Sequence, residues 1–129
     1  MYTYKKSVPL GYVDAVAKVR DELKKEGFGI LTEIDVKQTL KTKLNVDFED
    51  YIILGACNPP LAYQALSAER EIGVLLPCNV IVYVQAGKTF VSTILPTVQL
   101  GKVGNPKILP IAEEVEKKLK KVVDATAGN

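Results

Sequence analysis

The stretch Tyr51-Ile52-Ile53-Leu54-Gly55-Ala56-Cys57-Asn58-Pro59-Pro60-Leu61-Ala62 changes its period halfway along, and that change decides how the chain folds. Tyr51 to Ala56 is a continuous apolar run of strand length, which predicts a central strand buried on both faces. At Asn58 the pattern turns helical. Asn58 is a strong helix cap, because its side-chain oxygen can accept an unpaired N–H of the first turn. Pro59 suits the first helical position, where its missing N–H would have found no partner anyway. Leu61, Ala62, Ala65 and Leu66 then supply the inner face of a short helix.

Working back from this stretch, Asp35 followed by Gln38 resembles a capping box. A strand over 28–34, with Phe28, Ile30, Thr32 and Ile34 on one face, therefore leads into a short helix ending near Leu44. Val36, Leu40 and Leu44 sit at four-residue spacing along it. Before the strand, Tyr12 to Lys25 carries Val13, Val16, Ala17, Leu23 and the stem of Arg20 at helical spacing. Asp14 in the first turn and Lys24 and Lys25 in the last suit the helix dipole. Gly27 is placed to take the left-handed conformation that ends a helix. Tyr2 to Lys5 reads as a short strand stopped before Pro9.

Working forward, Val80–Gln85 and Thr89–Ile94 are β-rich runs around Ala86-Gly87, a hairpin signal. Pro96 to Pro110, with three prolines and two glycines, reads as a surface connection. A last helix from about Ile111 to Val123 has Ala112, Val115, Leu119 and Val122 as its apolar stripe. Glu113–Lys117, Glu114–Lys118 and Glu116–Lys120 reinforce it in the favourable order. The sum is an α+β domain: one sheet, part of it antiparallel, with its two long helices on a single face. No linker divides the chain, so residues 1–129 are read as one domain.

Composition narrows the function classes. The net charge is +2 and the lysines are dispersed along helices, which argues against nucleic acid as a partner. No apolar stretch approaches the roughly 20 residues that span a bilayer. Met1 to Lys6 leads into Val8-Pro9-Leu10-Gly11, not an apolar signal segment, so a reducing cytoplasmic setting without membrane contact is expected. With no histidine, Ser-His-Asp and Cys-His catalysis are excluded. Two cysteines are too few for a zinc site, so no metal is expected, and no glycine pattern suggests a nucleotide or other cofactor. No recognised catalytic constellation settles whether the chain is an enzyme.

The chemistry concentrates in Cys57-Asn58 and Cys78-Asn79, which hold both cysteines at strand-loop junctions. Cys57 precedes a helix N-terminus, whose partial positive charge favours a thiolate and lowers the cysteine pKa. The bland account is a small buried side chain in a tight turn, and the two accounts are close to even. Cys78 alone reads as structural. Beside Cys57 it becomes a candidate redox or sulfur-handling partner, though spacing does not fix their proximity. Glu33 and Asp35 form an acidic pair, most simply a surface side chain and a helix cap.

Four blocks carry a resemblance: Glu26-Gly27-Phe28-Gly29-Ile30-Leu31-Thr32-Glu33-Ile34-Asp35-Val36, Lys43-Leu44-Asn45-Val46-Asp47-Phe48, Tyr51 to Ala62, and Gly73-Val74-Leu75-Leu76-Pro77-Cys78-Asn79-Val80-Ile81-Val82. Together they resemble the domain of unknown function 302 family, with the two Cys-Asn blocks as the most specific part. The resemblance implies a TATA-binding-protein-like α+β domain, a curved, mainly antiparallel sheet with helices on one side. It implies no DNA binding, because fold is not function. Members of that family occur in prokaryotes, some beside sulfur-metabolism proteins, which implies a thiol-centred role. The candidate binding or reactive residues are then Cys57, Asn58, Pro59, Cys78 and Asn79, with Glu33 and Asp35 behind them. A small binding or carrier protein for a small molecule or sulfur species is the leading expectation. The alternative is a homodimeric or larger interaction module whose cysteines only pack.

Overall fold

A computed structural model describes residues 1–128. Its strands are β1 (Thr3–Val8), β2 (Gly29–Asp35), β3 (Tyr51–Cys57), β4 (Cys78–Gln85) and β5 (Lys88–Ile94). Its helices are α1 (Tyr12–Lys25), α2 (Val36–Leu44), α3 (Pro59–Ala68), α4 (Pro96–Gln99) and α5 (Ile108–Ala127). The strands form one sheet in the order β1-β5-β4-β3-β2, and every neighbouring pair is antiparallel. This is a mixed α+β architecture with an open sheet. No helix among the described residues is long and apolar enough to cross a membrane.

The hairpin between β4 and β5 turns at Ala86 and Gly87, both at positive φ (52° and 77°), the geometry that matches the twist of paired strands. Alternation along the sheet then sets two faces. Ile52, Leu54 and Ala56 of β3 share one face with Val80 and Val82 of β4 and Val91 of β5. That face meets α1 and α5 in a core that includes Val19, Leu23, Leu119 and Val123, all fully buried. At the far edge, Tyr4 donates to Asp124 Oδ1 at 2.7 Å and Lys6 pairs with the same oxygen at 2.8 Å, tying α5 to β1.

Three expectations are corrected. First, β3 is an interior strand but not the middle one, and it is buried on both faces only over Leu54–Ala56; β4 is the middle strand, and β3 is second from the edge. Its long apolar run reflects helices on one side and, at Gly55, the Thr32 and Pro77 side chains on the other. Second, the buried stripe of α1 is Ala15, Val19 and Leu23, while Val13 is 77% exposed. Two stripes compete in that sequence, and the one with the small Ala15 packs inward. Third, a β-bulge at Leu31 breaks the alternation of β2. Ile30 therefore faces the core with its partner Ala56, whereas Thr32 lies beside Gly55 on the opposite face.

The Pro96–Pro110 connection is more ordered than a surface loop. It forms α4 and a 3-10 turn over Leu100–Val103, and it buries Pro96 and Leu100. Glu116 of α5 accepts from the Thr97 backbone N–H at 3.0 Å and its hydroxyl at 2.7 Å. Asn105 donates to the Ala68 carbonyl at 3.0 Å, which binds the connection to the end of α3. Helix α5 starts earlier than expected, at Ile108, because Pro110 falls within its first turn, where a proline is tolerated.

Candidate functional site

Antiparallel pairing of β3 and β4 places the end of one strand beside the start of the other, and this brings the cysteines together. Cys78 pairs with Ala56, the residue before Cys57. Both cysteines are free, and both residues line one apolar cleft of about 310 Å³. Its walls come from Phe28 and Leu31 of the β2 region, Leu61 and Ala65 of α3, Leu76, and Ile111 and Val115 of α5. Apart from the cysteines, Asn58 is the one residue with a polar side chain along this lining among the described residues.

Asn58 makes two hydrogen bonds of its own. Its Oδ1 accepts from the Leu61 N–H at 3.4 Å, capping α3, and its Nδ2 donates to the Glu26 carbonyl at 3.2 Å. One side chain thus joins the start of α3 to the end of α1 and fixes the chain just after Cys57. Asn58→Ala removes both bonds and is expected to cost about 2 kcal/mol in urea unfolding. A loss under about 0.5 kcal/mol would show that the cap carries no weight. Pro59 occupies the first turn of α3, exposed and outside the cleft lining.

Burial, and then the neighbouring Cys57, push the Cys78 thiol up to about 11 from its ordinary 9.0. The folded state therefore keeps a proton that the unfolded chain loses. Stability from this group is fully present below pH 9 and is lost as pH rises toward 11. Between those limits the wild type is expected to lose on the order of 2 kcal/mol more than Cys78→Ala. Urea midpoints of both proteins at pH 8 and pH 11 measure the difference; parallel losses would contradict it.

The second Cys-Asn pair is not a repeat of the first. Asn79 is the second residue of β4, exposed, and lines with Ile94 and Gln99 a neighbouring depression that shares Leu76, Pro77, Cys78 and Leu100 with the cleft. Glu33 and Asp35 lie on the edge strand, away from the cysteines. Glu33 pairs with Arg20 of α1, while Asp35 accepts from the Gln38 N–H at 3.0 Å and caps α2. A shallow groove that includes Thr39 and Lys43 runs past both carboxylates. Among the described residues no group of three or more His, Cys, Asp or Glu could hold a metal ion.

Sequence reasoning missed the cleft walls. Ile111 and Val115 were visible as helix positions, but nothing local shows that α5 ends up beside Cys57. Leu31 becomes a lining residue only because the bulge turns it out of register.

The family model for the domain of unknown function DUF302 matches residues 4–126. A solved structure, that of an uncharacterized conserved protein DUF302 from Bacillus stearothermophilus, is similar to the chain at 32% identity. The match covers 98% of each chain with a TM-score of 0.91. No curated protein matches the chain.

Proposed function

We propose that this chain, which belongs to the DUF302 family, is a small binding or carrier protein whose apolar ligand is held against Cys57. The observation that carries the reading is that both cysteines line one cleft that is otherwise almost wholly apolar. A cleft of this volume suits a ligand of about ten non-hydrogen atoms, bound mainly by loss of apolar surface from water. The Cys57 sulfur, at the end of β3 and just before α3, is the group positioned to meet it. Cys78 stays protonated at neutral pH and acts as its neighbour, not as the nucleophile.

Alkylation by a small neutral maleimide at pH 7 tests the division of labour. Cys78→Ser is expected to keep most of the wild-type rate. Cys57→Ser should lose at least about 100-fold and regain reactivity only as pH climbs toward 11, following the thiolate fraction of Cys78. Equal rates for the two variants, or thiols that react only after unfolding, would overturn the reading.

The second reading, an interaction module that pairs with another copy of itself, draws on Leu31, Ile34, Leu44, Val46 and Phe48. These apolar side chains are all exposed along one segment. It predicts a dimer in sedimentation equilibrium that Phe48→Ser dissociates, and a monomer at high concentration removes it.

A further inference from the structure

The sheet face turned away from α1 and α5 carries a ladder of aromatic rings. Register sets Tyr51 opposite Tyr83 and Tyr83 opposite Phe90. Their centroids are 5.3 Å apart in both pairs, with the planes 21° and 25° from parallel. Phe48 continues the row, 6.2 Å from Tyr51 and tilted by 57°.

One end of this ladder already holds an ammonium group. Lys5 Nζ lies 4.8 Å from the Phe90 centroid and 5.8 Å from that of Tyr83, and it donates to the Tyr83 hydroxyl at 3.1 Å. The attraction is between positive charge and the negative face of each ring. At the other end Phe48, Tyr51 and Tyr83 border an open notch of about 590 Å³, flanked by Asp47 and Glu49. Among the described residues no lysine or arginine sits over Phe48 or Tyr51. Asp47 pairs with Lys41 at 3.3 Å, while Glu49 takes part in no ion pair among the described residues.

From this we infer that the notch binds an alkylammonium head group, a quaternary one best. The tilt of Phe48 against Tyr51 offers two ring faces at an angle, and Glu49 supplies the opposing charge. A neutral apolar ligand would gain nothing from the carboxylates, and an anion would be repelled by them. Tyr51 and Cys57 are the two ends of β3, so the notch lies about 20 Å from the cysteine cleft and does not depend on it.

Amide NMR titration of the full chain with choline, and in parallel with its neutral isostere 3,3-dimethylbutan-1-ol, tests the assignment. Choline should shift the amides of Phe48, Tyr51, Tyr83 and Gln85, and the alcohol should bind at least about tenfold more weakly. Tyr51→Leu should weaken choline about tenfold, and Glu49→Gln, an exposed change that spares the fold, about threefold. A peptide carrying trimethyllysine presents the same head group. Tighter binding of the peptide points to a protein-borne cation and tighter binding of choline to a free one, and either result supports the notch. Equal binding of the alcohol, shifts confined to other residues, or unchanged affinity in Glu49→Gln overturns it.

Discussion

Gly55→Ala is expected to destabilise the protein by about 3 kcal/mol, the top of the usual range for overpacking. A Cβ at this position would overlap the Thr32 hydroxyl and come within 2.7 Å of Pro77 Cγ. The hydroxyl can rotate away, but the Pro77 ring is stiff and leads directly into Cys78. Backbone must therefore shift where β2, β3 and the start of β4 meet, and the cysteine cleft shifts with it. Urea unfolding measures the loss of stability. Thr32→Ala in the same chain should recover only part of it, because Pro77 still obstructs. Full recovery, or a loss below about 1 kcal/mol, would show that this contact does not fix the strand end.

Leu54→Ala is expected to cost a similar 3 kcal/mol or so, within the range for a large buried side chain cut back to alanine. Leu54 is fully buried and sits opposite Val80 and Glu33 in the register, in the core cluster shared with α1 and α5. Its removal leaves a cavity that the stiff sheet cannot fill. The informative control is Val13→Ala. Sequence periodicity counts Val13 among the core residues, but at 77% exposure it should cost less than about 0.5 kcal/mol. A large effect at Val13 with a small one at Leu54 would overturn the facing of both elements.

What could be read from the residues was mostly local. The cap at Asn58, the proline after it, the Ala86-Gly87 hairpin turn and the stripe of α5 each follow from chemistry within a few residues, and each is present in the structure. Asp35 capping α2 belongs with them. Non-local outcomes were not legible. The order of strands, the bulge at Leu31 and the competition between two stripes on α1 depend on what each element meets across the core. The candidate site divides the same way. Cysteine-asparagine pairs stand out in the sequence, but only antiparallel pairing of β3 with β4 sets the two cysteines beside one cleft. The same pairing separates Asn79, on the opposite strand face, from Cys78. Glu33 and Asp35 lie apart from the cysteines on the edge strand, one paired with Arg20 and the other capping α2.

The reading rests on the cleft being a true ligand site that the thiols share. Thiol alkylation in the presence of naphthalene, a neutral apolar fluorescent dye of the size the cleft suits, tests this directly. With the dye saturating at one equivalent, the rate at Cys57 should fall at least about tenfold, and the same protection should reach Cys78 at high pH. Bound dye with both rates unchanged would place the apolar site elsewhere and contradict the account.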